Sequence, residues 1–398
     1  LAVSYGADAV YCAGQEYGLR AAAENLTNIE LERGVSFAHK HGAKVFVTLN
    51  ALLHNDDMEG LGEFCSFLES IGADAVIVAD LGVIDVVQEF STLPIHLSTQ
   101  ASCLNTSSAL LWKSQGVKRV VVARELTIAE TSRIREQADI EVEMFIHGAM
   151  CMAYSGKCTI SNFTAGRDSN RGGCIQSCRF SYGHTPLPSS KSSKKLPIIA
   201  PGVEGTPGAR HFMSSKDLQG LDLLPEFISH NIDSLKIEGR MKSPFYVASI
   251  VRSYRRAIDA LLEGRSFDPL STEIDAAPHR EYCSGSLKTP ASSESIYSQG
   301  GGSQERASHQ YLGLVLAKED DLVAIRLHAP VTCGETIEFL LFDGSVLPLT
   351  ISKMQEVNGN ALEKAHQDSV VCLAVDENSG VSAGNVVRIK PLSQQEAA

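Results

Sequence analysis

Leu61-Gly-Glu-Phe-Cys-Ser-Phe-Leu-Glu-Ser-Ile71-Gly72-Ala-Asp-Ala75-Val-Ile-Val-Ala-Asp80 holds the pattern that decides the fold. Residues 61–71 carry apolar side chains at the helical period, Gly72 breaks the run, and 75–80 is a short apolar run ending on an acid. A helix, a glycine turn and a buried strand with a polar end make one unit of a parallel α/β sheet. The unit repeats in both directions. Strand-like runs are expected at Asp8–Gly14, Lys44–Asn50, Pro94–Gln100, Arg119–Glu125, Glu141–Gly148 and Ser234–Arg240. Glycine turns recur at His41-Gly42 and Gln115-Gly116, and Ile128–Gln137 is a second amphipathic helix. Seven strands are visible. Leu1–Gly6 reads as the last turn of a helix ending at a glycine, so the chain is taken as a fragment with one strand expected before Leu1. Eight strands is the count of a TIM-like (β/α)8 barrel, and a doubly wound open sheet is the competing arrangement.

A barrel would place its site at the C-terminal ends of the strands. Those ends carry Gly14, Asn50, Asp80, Gln100, Arg124, Glu125, His147 and Glu238-Gly-Arg240. The barrel is assigned residues 1–265. Residues 183–210, rich in Pro, Ser, Gly and Lys, read as a flexible insertion, and 266–308 as a linker between domains. Ser243-Pro244 starts a helix over the intervening stretch. From 309 to 398 the apolar period becomes two, with turns such as Asp343-Gly344 and Asn358-Gly359, which predicts a small C-terminal all-β barrel domain.

Of the 398 residues, 47 are acidic and 35 are Lys or Arg, a net charge of -12. A general polycation is excluded, so any nucleic-acid contact needs a local basic patch. No apolar run approaches the roughly 20 residues of a membrane helix, so no membrane partner is expected. The best basic patch is Lys236–Arg256, with Lys236, Arg240, Lys242, Arg252, Arg255 and Arg256 against the single acid Glu238. It is equally readable as a solvated helix face with an ion pair. Arg179, next to Phe180 and Tyr182, pairs a cation with aromatics that can stack a base or pack over a site.

Four of the ten cysteines fall within 28 residues, at Cys151, Cys158, Cys174 and Cys178, just after the sixth visible strand. A secreted disulfide scaffold does not fit a chain of this length with its other cysteines scattered. Four thiolates close in sequence can hold an iron–sulfur cluster or zinc. Zinc sites favour pairs two to four residues apart. The irregular spacing, with glycines at 156, 166, 172 and 173, suits a cluster held by loops. No His-Glu-x-x-His or Gly-x-Ser-x-Gly occurs. A His147–Cys151 nucleophile pair remains conceivable, but a metal-bound Cys151 could not attack a carbonyl, and His147 also reads as a packing histidine.

The stretch Glu143-Met-Phe-Ile-His-Gly-Ala-Met-Cys151-Met-Ala-Tyr-Ser-Gly-Lys-Cys158 resembles the signature of the U32 peptidase family, the collagenase-like proteins. Tyr5–Tyr11, His96–Gln100, Arg124-Glu-Leu126 and Ser234–Arg240 agree with it, and the resemblance runs over almost the whole chain, favouring the barrel. It implies a 4Fe–4S cluster on Cys151, Cys158, Cys174 and Cys178 and an O2-independent hydroxylation. Within the family it implies a cytoplasmic tRNA partner, 5-hydroxyuridine at the wobble position as product, and prephenate, a small anionic organic co-substrate, as hydroxyl source. Sister branches act on a ribosomal RNA cytidine or on ubiquinone precursors; a peptidase and a non-catalytic accessory factor are the other readings. On this reading Lys236, Glu238 and Arg240 hold the anion and do acid–base work. Asn50, Gln100, Arg124, Glu125 and His147 line the pocket, and Lys242, Arg252, Arg255, Arg256 and Arg179 face RNA.

Overall fold

The computed structural model describes residues 1–20, 25–180, 182–185, 198–201, 211, 213–267, 271–292, 296–297 and 305–391. Two compact units emerge, one of Ala9–Arg240 with Arg280–Gln304, the other of Leu1–Asp8, Met241–His279 and Glu305–Ala398.

The first unit is built on parallel strands β1 (Ala9–Cys12), β2 (Lys44–Leu49), β3 (Ala75–Val78), β4 (Ile95–Leu97), β5 (Val117–Val121) and β6 (Glu141–Ala149), each paired with the next in chain order. Between them run helices α1 (Asn28–Lys40), α2 (Leu61–Ser70), α3 (Leu81–Phe90), α4 (Thr106–Ser114) and α5 (Ile128–Ala138), and α6 (Ile160–Ala165) lies in the cysteine loop. Four of the five helices between these strands begin at a side-chain cap, the exception being α2, which starts after Gly60. Thr27 and Thr127 form capping boxes with Glu30 and Glu130, and the side chains of Asp80 and Asn105 accept first-turn amides of α3 and α4. Asp80 is thereby a helix cap. Gly42, Gly72 and Gly116 return the chain to the sheet at φ of +74°, +80° and +88°, where a side chain would be strained. β3 is buried throughout and β2 at all but its first residue, as a sheet covered on both faces requires.

The next strands are β7 (Tyr182–Thr185) and β8 (Ile198–Pro201), an antiparallel pair inside the stretch expected to be a flexible insertion. The intervening 186–197, and 202–210 beyond, lie outside the described residues. After β9 (Asp217–Gln219) and α7 (Leu224–Ser229) comes β10 (Ser234–Ile237). β6 is long enough for two partners: β10 runs parallel along Glu143–His147, and β9 runs antiparallel along His147–Ala149. The parallel order β1 to β6 followed by β10 is the barrel sequence. Tyr11 Oη of β1 donates 2.8 Å to Glu238 Oε2, one residue past β10, so side chains join the first and last strands.

The linker expectation for 266–308 is corrected where the chain is described. β11 (Tyr282–Cys283) pairs parallel with β9, and Arg280 forms an ion pair with the buried Asp217. Polar, glycine-rich composition hides this because the pairing is two residues long.

The second unit carries the eight-stranded antiparallel sheet, with Gln310–Glu319 paired to Leu322–Leu327 and to Val386–Ile389. Its core includes Leu312, Ile325, Phe339, Val371 and Val387. Helix α8 (Pro244–Leu262), expected to belong to the barrel, groups with this unit, as does Leu1–Asp8, where Val3–Tyr5 is a 3-10 turn closed by Gly6 at φ +101°. Arg252 on α8 is 2% exposed and donates 3.1 Å to Glu273 Oε2 and 3.1 Å to the Ser345 carbonyl. Arg388 donates 2.9 Å to the same Glu273 oxygen and 2.6 Å to Glu338. One carboxylate therefore holds two buried guanidinium groups. Glu273→Gln should lower the urea unfolding midpoint by the equivalent of about 3 kcal/mol, the cost of uncovering a buried charge; an unchanged midpoint would show that this network does not tie the unit together.

Candidate functional site

The strand ends of the first unit surround one cavity. Its wall includes Tyr11 of β1, Thr48 and Asn50 at the end of β2, Ser98 and Gln100 after β4, and Arg124 after β5. Lys236, Glu238 and Arg240 close it from β10, and Arg20 from the loop after β1. All four clustered cysteines line the same cavity.

Glu238 is the centre of its charge. Burial opposes ionisation, but the positive charges of Arg20 and Arg124, the Tyr11 hydrogen bond and Lys236 outweigh it and hold the carboxyl below its usual range. Tyr11 is pushed the other way by burial and by the Glu238 charge, so it stays protonated and donates. Lys236 sits 2.8 Å from Glu143 Oε1 and 4.1 Å from the centre of the Tyr11 ring. Glu143 is buried, yet Lys236, a 2.8 Å hydrogen bond from Ser234 Oγ and the charge of Arg119 hold it down at about 2. Arg240 donates 2.5 Å to Asn25 Oδ1 and 3.4 Å to Thr48 Oγ1. Arg124 lies over Phe145, its guanidinium carbon 3.9 Å from the ring centre. Asn50 accepts 3.3 Å from the Leu19 amide and donates 3.2 Å to Ser98 Oγ and 3.3 Å to Gln100 Oε1, which fixes the amide plane at the cavity wall.

Gly148 sets the back of the site. At φ +112° its missing Cβ would stand 2.3 Å from the Glu238 carbonyl oxygen. Only glycine lets β6 end this close to the segment that carries Glu238.

The cysteine loop is organised by small polar side chains. Asn170 accepts 3.1 Å from the Cys158 amide and donates 3.1 Å to its carbonyl. Ser177 Oγ lies 2.7 Å from Thr164 Oγ1 and 3.3 Å from Ser161 Oγ, and Ser161 Oγ accepts 3.2 Å from the Ile175 amide. Glu125 accepts 2.9 Å from the Ser155 amide. Burial raises the Cys158 and Cys178 thiols, and the charges of the neighbouring cysteines raise them further. Four thiols facing one cavity form a donor set that gives up its protons to a bound cationic centre. Among the described residues no three Cys, His, Asp or Glu side chains surround a single-ion position. Four cysteines lining one cavity are a donor set that could hold an iron–sulfur cluster or zinc.

Several expected site residues lie elsewhere. His147 is 1% exposed, its ring 5.3 Å from that of Tyr282, and it is not in the cavity wall. It packs between β6, β9 and β11. Glu125 positions the cysteine loop. Arg179, read as an RNA contact, lies under that loop and donates 2.7 Å to the Met150 carbonyl, 2.5 Å to the Ser215 carbonyl and 3.1 Å to Ser214 Oγ. The basic run past Arg240 is committed inside the second unit. Besides Arg252, Arg256 donates 3.2 Å to the Gly344 carbonyl, Arg255 pairs with Asp8 and Asp259, and Lys242 lies 2.5 Å from Glu305. Tyr11 and Arg20 are site residues that pattern reading misses. Tyr11 is marked only by its place at a strand end, and Arg20 by nothing beyond lying in a loop that follows a barrel strand.

The buried His96 ring packs edge-on against Phe46, and burial with the nearby Arg119 pushes it down to about 4. A group whose folded pKa lies below its unfolded value is less protonated in the folded state. His96 therefore costs stability as pH falls from 6.5 towards 4, and Glu143 does so from about 4.5 towards 2. Each window is worth on the order of 3 kcal/mol. Urea titrations across pH should show both, and His96→Gln should flatten the first alone; an unaltered slope between pH 6.5 and 4 would refute the assignment.

Comparison with known proteins agrees with this organisation. The model of peptidase family U32 matches residues 1–296, and that of the U32 C-terminal domain matches 307–388. A Bacillus subtilis protein named as a tRNA hydroxylation protein is 38% identical over 390 residues, 95% of this chain and 89% of the relative. A tRNA hydroxylation protein of Escherichia coli is 32% identical over 404 residues, 92% and 88% of the two chains. A 23S rRNA 5-hydroxycytidine synthase of Escherichia coli is 36% identical over 264 residues, 66% of this chain and 38% of that protein.

Proposed function

The chain belongs to peptidase family U32, and from that premise we propose that it is an RNA-modifying enzyme, an iron–sulfur-dependent hydroxylase of tRNA. The reaction is the O2-independent conversion of the wobble uridine to 5-hydroxyuridine in the cytoplasm, with prephenate as hydroxyl donor. The observation that carries this reading is the convergence of four cysteines and four cations on one cavity. Relatives named for RNA hydroxylation support the substrate class.

Cys151, Cys158, Cys174 and Cys178 would hold a 4Fe–4S cluster, which supplies one-electron redox chemistry when bound. The chain's own residues do the rest. A carboxylate held below its usual range is a weak base, so the role of Glu238 is electrostatic. It keeps Arg20, Arg124 and Lys236 converged on the cavity and takes the Tyr11 proton donor in a fixed direction. The excess of cations over carboxylates on the wall favours an anionic co-substrate. Peptide hydrolysis finds no support, because Cys151 has no base at the cavity once His147 is placed in the packing behind it.

An unpaired wobble base reaches a barrel mouth at little cost. The cysteine loop offers it aromatic surface, with Phe163 84% and Tyr154 58% exposed. Lys157, Arg167 and Arg171 lie on the same loop. Phe163→Ala should weaken tRNA binding by about 1–3 kcal/mol, the worth of one stacked base, measured by filter binding; undiminished affinity would place the RNA on another surface.

The function itself is tested in a strain lacking the gene, by mass spectrometry of tRNA and rRNA nucleosides. Wild type should restore 5-hydroxyuridine derivatives and Cys151→Ser should not. Anaerobically purified wild type should be brown and carry iron and sulfide. An unchanged tRNA nucleoside profile on deletion overturns the tRNA assignment, and an altered rRNA cytidine profile would redirect it to rRNA. One zinc per colourless chain overturns the iron–sulfur assignment.

A further inference from the structure

We propose that Arg20 and Arg124 are the residues that grip the carboxylates of the anionic co-substrate, and that Lys236 and Arg240 are not. The proposal rests on the reading of this cavity as the co-substrate site and assigns the binding to particular side chains.

Four cations line the cavity, and two are already engaged. Lys236 is paired with the buried Glu143 and packed on Tyr11, and Arg240 donates to Asn25 and Thr48. The other two differ. Neither the Arg20 nor the Arg124 guanidinium makes a hydrogen bond or ion pair with any described residue, although both are half-buried in the cavity wall. A guanidinium carries five N–H donors in a rigid plane, and leaving them unmet in a partly buried site is costly. Such a group is kept where a ligand will supply the acceptors.

Both side chains are held without using their donors. Arg124 lies over the Phe145 ring, a contact that consumes none of its N–H hydrogen-bond donors. Arg20 shares the cavity wall with Glu238, whose charge offsets the cost of burying the guanidinium. Both line the cavity that Glu238 and the four cysteines also line. A ligand bridging the two forks would share that cavity with the centre that the cysteine loop would hold. A planar fork matches a carboxylate with two parallel hydrogen bonds, so two forks match a ligand with two carboxylates better than a single anionic group.

Isothermal titration calorimetry under anaerobic conditions tests this on the intact, cluster-loaded protein, with prephenate, its monocarboxylate relative phenylpyruvate, and inorganic phosphate as probes. Prephenate should bind best. Arg20→Lys and Arg124→Lys keep the charge and lose the fork, and each should weaken prephenate at least tenfold while melting temperature and visible absorption stay as in wild type. Phenylpyruvate should respond strongly to only one of the two variants. Should either lysine variant fail to fold, Arg20→Gln and Arg124→Gln keep a polar side chain and serve the same comparison. Prephenate affinity unchanged in both variants overturns the assignment while the nucleoside test of function still stands. Phosphate binding as tightly as prephenate overturns the two-carboxylate argument. If deletion leaves tRNA nucleosides unchanged but the arginine variants still lose prephenate, the proposed function fails and the clamp survives.

Discussion

A single half-buried carboxylate organises the barrel mouth. Glu238 follows the last parallel strand, and its hydrogen bond from Tyr11 reaches the first. Burying a carboxylate is expensive, and here the cost is offset by three converging cations and one phenol. The dependence also runs the other way. Arg20, Arg124 and Lys236 would repel one another around a half-buried cavity without that negative charge between them. Removal of the carboxylate would therefore disperse the groups the site uses. The requirement extends to the backbone, since Gly148 gives Glu238 the space in which to stand.

Beneath this centre a second ion pair decides which cations face the cavity unengaged. Glu143 takes Lys236, so a residue that looks like an anion ligand in the sequence is a fixed part of the wall. Arg240, two residues past Glu238, is held by Asn25 and Thr48. The cysteine loop is built on a different principle. It has no hydrophobic period, and its conformation comes from hydroxyl and amide hydrogen bonds together with left-handed residues at Ser155, Gln176, Gly156, Gly166 and Gly172. Turn chemistry of this kind places thiols at uneven intervals along the chain and still faces them to one cavity.

This explains what the sequence made legible and what it concealed. The strand–helix alternation was readable because its signals are local: continuous apolar runs and helical periods, with side-chain caps on four helices and returning glycines at Gly42, Gly72 and Gly116. The all-β period of the C-terminal unit was readable for the same reason, and the Leu322–Leu327 and Val386–Ile389 strands lie where the alternation puts them. β9 and β11 were not readable. They are three and two residues long, and their pairing is set by a partner distant in the chain. Within the site, the cysteines and the β10 triad stood out by composition. Tyr11 did not, because an aromatic in a strand is ordinary core material until its hydroxyl finds a half-buried acid. Arg20 did not, because a cation in a loop is ordinary surface until the fold closes around it.

The basic run from Lys236 to Arg256 shows why linear charge is a poor guide to an interface. Its cations look like one patch only while the chain is imagined straight. On α8 their helical positions distribute Arg252, Arg255 and Arg256 to different partners, and each meets an acid or a carbonyl of its own unit. In a protein with a net charge of -12, carboxylates are abundant enough to meet most cations. A cation left without a hydrogen-bond or ion-pair partner among the described residues is then the informative one. Arg20 and Arg124 meet that criterion in a cavity that also gathers four cysteines, and the basic helix does not. Charge density per residue measures how many cations a segment owns; function depends on how many the fold leaves unpaired, and where.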